Sequence, residues 1–266
     1  MIPYMQSKTE LARRRETLNQ TSPKSYECQA SPGTPLVTLT LCGYRAGERL
    51  WAFNRMGSAR REISRVTGLR FWKLLGAGRG GGFGLRPDFS RYGLLAVWED
   101  AEAADRFFAD SSVMASYRRH AEEIWSLRLL PVYALGTWSG VNPFLPVAAP
   151  PPPVAPVAVL TRASIRWGRL VSFWRATPAT SRALDAAPGL LASIGTGEMP
   201  FIRPATFSLW RSETEMRAFA YGAPAHQEVI RRRRAENWYG EELFARFTPI
   251  RSEGKWRGRD PLANLL

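Results

Sequence analysis

The chain has 266 residues, a net charge of +14, and 33 arginines against 4 lysines. Its two cysteines, Cys28 and Cys42, exclude a disulfide framework and a zinc or iron–sulfur site held by thiolates. Any imidazole-based catalysis or metal binding must use one of two histidines, His120 and His226.

Residues 1–34 are polar, carry Arg13-Arg14-Arg15 with no apolar run after them, and read as a disordered N-terminal extension rather than a secretory signal. A first patterned block covers 35–141. The pattern predicts a strand over Leu36–Gly43, a helix over Glu48–Val66, and strands over Leu69–Leu75 and Tyr92–Trp98. A second helix, opened by Glu99-Asp100 and broken near Ser111-Ser112, leads to a strand over Ser126–Val132. A Pro/Ala-rich linker follows over 142–156. The second block, 157–250, predicts strands near 157–164, 190–194, 204–210 and 243–249. Its helices fall near 167–176, with an extension toward 186, and 212–238, the latter broken at Gly222 and Pro224. Residues 251–266 form a C-terminal tail. No apolar run reaches the roughly 20 residues that cross a bilayer as a helix. The expectation is a cytoplasmic protein, with the arginine excess adding attraction to an anionic membrane surface.

The two blocks resemble each other. Val37–Leu41 and Val157–Thr161 open them 120 positions apart, Arg49-Leu50 matches Arg169-Leu170, and Phe53 matches Phe173. Trp98 echoes Trp210, and Ala121-Glu122 with Trp125 echoes Ala235-Glu236 with Trp238. Each block reads β-α-β-β-α-β, the ferredoxin-like arrangement. One such sheet leaves a face bare. Two in tandem bury those faces against each other, so the expected fold is α+β: tandem ferredoxin-like modules forming a pseudo-dimeric barrel, with pockets between sheet and helices.

The segment Gly76–Gly84 lacks the spacing of a dinucleotide fingerprint and has no Gly-Lys-Ser/Thr after it, so it reads as a turn or a lip over a pocket. The arginines are scattered and no nucleic-acid recognition motif is present, which argues against nucleic acid as a partner. The run Arg231–Arg234 points all round a helix. Its readings are a solvated face paired with Glu228, Glu236 or Glu241, or an anion-binding surface. His226 follows the break at Gly222-Ala223-Pro224 and has Val229 and Ile230 at i+3 and i+4, which sets it on an apolar face. A lone histidine there is either a satisfied core group or a ligand. His120, beside Arg119, is the poorer ligand. Trp51, Phe71, Trp72, Phe83, Trp174, Phe201 and Trp238 are the aromatics available to line a long apolar cavity, although aromatics at such spacing serve by default as core. No paired carboxylates suited to acid–base work stand out, and no catalytic residue is assigned.

Two strings are specific, Arg234–Trp238 and Glu241–Phe247, and Phe71-Trp72-Lys73, Gly76–Phe83, Ala96-Val97-Trp98, Leu160–Ala163, Ile194–Phe201 and Thr206–Trp210 accompany them. Together they resemble the spheroidene monooxygenase family, the bacterial acyclic-carotenoid 2-ketolases, over about 36–262. The resemblance implies a haem-dependent oxidoreductase that uses O2 and electrons from reduced ferredoxin. It would insert oxygen at C-2 of an acyclic carotenoid by two hydroxylations and loss of water. It also implies a histidine ahead of the Arg234–Trp238 string, which is His226 here, as axial ligand of the haem iron. Arg231 and Arg234, within the Arg231–Arg234 run, and Arg203 are then candidates to pair with haem propionates. The first block has no matching histidine, so one haem per chain is expected. The charge then suits peripheral contact with an anionic inner or photosynthetic membrane and an acidic ferredoxin. The alternative is a non-catalytic haem- or lipophile-binding α+β barrel.

Overall fold

The computed structural model describes residues 33–78, 87–199 and 201–266, apart from the side chains of Ala225, His226 and Arg234. The predicted N-terminal extension, all but Gly33 and Thr34, lies outside the described residues, as do Arg79–Arg86 of the glycine-rich segment and Pro200. No described helix is long and apolar enough to cross a membrane.

The first half contains β1 (Leu36–Gly43), α1 (Arg49–Ile63), β2 (Leu69–Gly78), β3 (Pro87–Trp98), α2 (Ala101–Asp110), α3 (Ser112–His120) and β4 (Glu123–Gly136). The second contains β5 (Val157–Ile165), α4 (Leu170–Asp185), β6 (Leu190–Met199), β7 (Arg203–Trp210), α5 (Glu213–Gly222), α6 (Pro224–Glu236) and β8 (Tyr239–Gly254). The strands close into one barrel in the order β1-β3-β2-β6-β7-β5-β8-β4. Each half therefore has the ferredoxin-like order, β4-β1-β3-β2 and β8-β5-β7-β6. Closure removes every sheet edge.

The halves meet twice. The β2–β6 joint is short among the described residues, pairing Gly76 with Gly197 and Ala77 with Thr196. The β4–β8 joint is long, running from Trp125 opposite Gly254 to Gly136 opposite Leu243. That joint explains why β4 and β8 outrun their expected lengths: their ends pair with the other half, which no local pattern encodes.

Register shows the internal symmetry. Leu36 lies opposite Trp98 and Thr40 opposite Leu94, while Val157 lies opposite Trp210 and Thr161 opposite Thr206. Leu36 thus corresponds to Val157, a shift of 121 rather than the 120 read from sequence. The difference matters because one residue of slip turns a strand inside out. Val37 faces the barrel core, whereas Val157 faces the helices. The same shift pairs Gly68 with Gly189. Each has φ near +76° and leads its helix into the next strand, where a Cβ would lie within 2.4 Å of Ala103 or 2.3 Å of Glu215.

Alternation sorts the side chains. Val37, Leu39, Leu41, Leu160, Phe207, Leu243 and Phe247 fill the barrel, and Trp138 and Trp256 are buried with them. Trp256 and Leu262 belong to the C-terminal segment, which is thereby held in the core. Outside the barrel, Asp100, Ser111 and Ser212 cap α2, α3 and α5 through their side chains. Pro224, with no N–H to give, separates α5 from α6 where the sequence pattern placed a break.

Candidate active-site cavity

The two halves fill the space between sheet and helices differently. In the first half one continuous apolar cluster, including Trp98, Phe107, Met114, Tyr117 and Leu94, leaves a void of only about 10 Å³. In the second half the apolar packing splits into two clusters. One surrounds Trp210, Leu184 and Met216, the other Phe173 and Trp238. Beside them lies a cavity of about 480 Å³, lined by residues from both. That size lies within the range of small-molecule sites, about 300–1,000 Å³.

The cavity follows from particular residues. Its sheet wall presents Val159 and Thr161 from β5, Thr206 and Ser208 from β7, and Phe244 from β8. Its helix wall presents Phe173, Thr177 and Leu184 from α4, Met216 and Phe219 from α5, and Val229, Ile230 and Arg233 from α6. By register, Thr206 and Ser208 stand where the first half has Leu94 and Ala96. A leucine-to-threonine exchange on a helix-facing strand removes packing volume and introduces a hydroxyl. Thr206 Oγ1 is buried and has no hydrogen-bond partner among the described residues. A buried hydroxyl left unpaired is costly, about 1–3 kcal/mol.

Polar groups stand at the margin. The Arg233 guanidinium donates to Glu242 at 2.5 Å and lies over the Tyr239 ring at 5.6 Å. Burial pushes the Tyr239 phenol up to about 12, Arg233 opposes that, and Glu242 adds to it. Tyr239 therefore borders the cavity as a protonated hydroxyl at neutral pH.

At the end of β5 sits a charged cluster. Arg162 is 2% exposed and donates to Glu241 and to Glu198, the latter at 3.2 Å. Glu198 also accepts from Trp138 Nε1 at 2.8 Å and pairs with Lys73 of β2 at 3.0 Å. Burial raises the Glu198 carboxyl, but Lys73, Trp138 and Arg162 outweigh it and hold it below the usual carboxylate range. Glu241 is likewise raised by burial and lowered by the Gly140 and Ser139 amides and by Arg162, with a net downward result. The cluster ties β2 of one half to β5, β6 and β8 of the other.

No family model matches the chain. Three spheroidene monooxygenases are similar to it over 87% of its length. That of Cereibacter sphaeroides is 38% identical and matched over 72% of its own length. That of Rhodobacter capsulatus is 38% identical over 97%, and that of Rubrivivax gelatinosus 39% over 88%. The chain belongs to the spheroidene monooxygenase family. A crystal structure of aldoxime dehydratase, 12% identical, shares the fold with a TM-score of 0.51, covering 84% of each chain.

Spheroidene monooxygenase resemblance had singled out His226, Arg231 and Arg234, and the structure treats them unequally. His226 lies in α6, one turn ahead of the cavity residues Val229 and Ile230, and its side chain is outside the described residues. The side chain of Arg234 is outside them too. Arg231 is exposed and forms a surface pair with Glu228 at 2.7 Å, while Arg232 donates to Glu236 and Ser172. Arg233, a member of the Arg231–Arg234 run, is the one that borders the cavity among the described arginine side chains of α6. Arg203 is exposed at the start of β7 and is not part of the lining.

His120 has a structural occupation. Its Nδ1 is 2.8 Å from Glu48 Oε2, and its ring stacks on Trp51 at 3.9 Å. The described aromatics among those named as cavity candidates do not line this cavity. Trp51 and Trp72 pack in the first half, Phe71 against the barrel core, and Trp238 beside Phe173. Trp174 and Phe201 line a different hollow, and Phe83 is outside the described residues. Sequence reading missed Arg162, although a lone charge inside the apolar strand Val157–Ile165 signals a buried ion with partners elsewhere.

Proposed function

We propose that the chain is a haem-dependent monooxygenase that ketolates an acyclic carotenoid at C-2, with the haem in the second-half cavity. The observation that carries this reading is the asymmetry of the two halves between sheet and helices: a void of about 10 Å³ in the first and a cavity of about 480 Å³ in the second, beside the helix that bears His226. The lining suits the group. Apolar side chains line both walls among threonines and serines, and a cation, Arg233, stands at the margin.

In this reading His226 holds the iron through a ring nitrogen, as a neutral imidazole does. Arg233, rather than Arg231, would pair with a propionate, exchanging one carboxylate, that of Glu242, for another. Bound haem supplies dioxygen activation. The chain supplies the rest. Phe173, Leu184, Met216, Phe219 and Phe244 exclude water and receive a hydrocarbon end, and Tyr239 offers a protonated hydroxyl at the margin. Reduced ferredoxin is the electron donor, attracted by the basic surface, and an anionic membrane presents the lipid-dissolved substrate.

Reconstitution with haemin tests this. The native chain and His120→Ala should develop a Soret band and turn over an acyclic carotenoid with O2 and ferredoxin, whereas His226→Ala should do neither. A normal Soret band in His226→Ala sinks the ligand assignment. Haem binding without turnover leaves the carrier alternative standing.

A further inference from the structure

A second hollow, about 230 Å³, lies over the β2–β6 joint. Glycines 76, 78, 195 and 197 form its floor, with Phe53 and Met56 of α1 on one side and Trp174 of α4 and Phe201 on the other. The surface around it is apolar to a degree unusual for a surface bathed in water. Trp167 is 75% exposed, Leu50 71% and Val171 63%, and Phe53, Phe89 and Phe201 are exposed with them.

Geometry gathers these side chains. Leu50 and Phe53 are three apart on α1, and Val171 and Trp174 three apart on α4, so each pair shares a helix face. Phe53 meets Phe89 at 6.3 Å and Trp174 meets Phe201 at 6.2 Å between ring centroids. The 121-residue shift relates Leu50 to Val171, and it relates Gly76 to its own partner Gly197. The pseudo-twofold axis therefore passes through the joint and sets both helix starts astride it. Such contiguous exposed apolar surface marks an interaction site.

Charge selects the partner. Arg49, Arg169, Arg175 and Arg203 are exposed around this surface, and none has an acidic partner among the described residues. A second copy laid face to face would bring these cations together. An anionic bilayer would pair with them, and Trp167 suits the depth of the headgroups. We propose that this face, centred on Leu50 and Trp167, docks the chain on an anionic lipid surface. The assignment rests on the membrane contact proposed above and names the face that makes it.

The test is co-sedimentation with phosphatidylcholine vesicles, with and without phosphatidylglycerol. The intact chain should bind only the vesicles containing phosphatidylglycerol. The double variant Leu50→Asp/Trp167→Asp, with an unchanged far-UV spectrum and Tm, should bind at least tenfold less. Arg169→Gln and Arg175→Gln should each lower binding roughly fivefold. Arg251→Gln, on β8 at the opposite joint of the barrel, should change little. If the intact chain binds neither vesicle, the membrane contact and the face fall together. If it binds and the double variant binds equally, or if Arg251→Gln loses as much, the face alone is wrong. A concentration-dependent dimer abolished by the double variant would assign the surface to a second copy and overturn the proposal.

Discussion

Replacing Thr206 with Leu would give the second half the residue that the first half carries at the same register, Leu94. The orphaned hydroxyl disappears, which relieves about 1–3 kcal/mol. Leu adds two apolar groups at about 0.8 kcal/mol each when buried. Ordering the longer side chain costs about 0.5–1 kcal/mol. Because the added methyl groups face a 480 Å³ cavity and gain few contacts, the net stabilisation of the ligand-free chain should be near the lower end, about 2 kcal/mol. For a fold of this size that raises Tm by roughly 4–8 °C. The same methyl groups occupy ligand space, so a haemin titration followed at the Soret band should show binding weakened at least tenfold. Stability and ligand affinity should therefore move in opposite directions, the trade expected of a binding site. A lowered Tm would mean that the hydroxyl has a role unseen in the structure. A raised Tm with unchanged haemin affinity would mean that haem binds elsewhere.

Glu198→Gln leaves Arg162 buried with one carboxylate, Glu241, in place of two. Urea denaturation should show a loss of about 1.5–3 kcal/mol, and an unchanged midpoint would show that the cluster contributes nothing net. Acid should unfold the chain partly through Glu236, which hydrogen bonds from Ser172, Trp238 and Arg232 lower to about 2. A carboxyl depressed in the folded state stabilises above its unfolded pKa, so that contribution is complete above about pH 4.5 and fades as pH falls toward 2. The Tm of Glu236→Gln should accordingly lie below that of the native chain at pH 6 and converge with it near pH 2. Parallel curves would refute the assignment. His120→Ala, which removes the stack on Trp51 and the Glu48 contact, should lower Tm while keeping haemin affinity.

Much of the architecture was legible in the chain itself. The doubled β-α-β-β-α-β pattern determines two ferredoxin-like units, because periodicity and breakers such as Gly222 and Pro224 act over a few residues. The family was legible in strings such as Arg234–Trp238. What the tertiary structure decided was which half is hollow and which arginine reaches the hollow. Thr206 reads as an ordinary strand threonine until register sets it where Leu94 stands in the other half. Arg233 is one of four identical neighbours until helix phase brings it to the margin, with Arg231 turned to solvent. Volume and facing are properties of pairs of elements distant in sequence, so they exist only once the barrel closes. Local pattern encodes how each segment folds, while the space left between segments is set by packing.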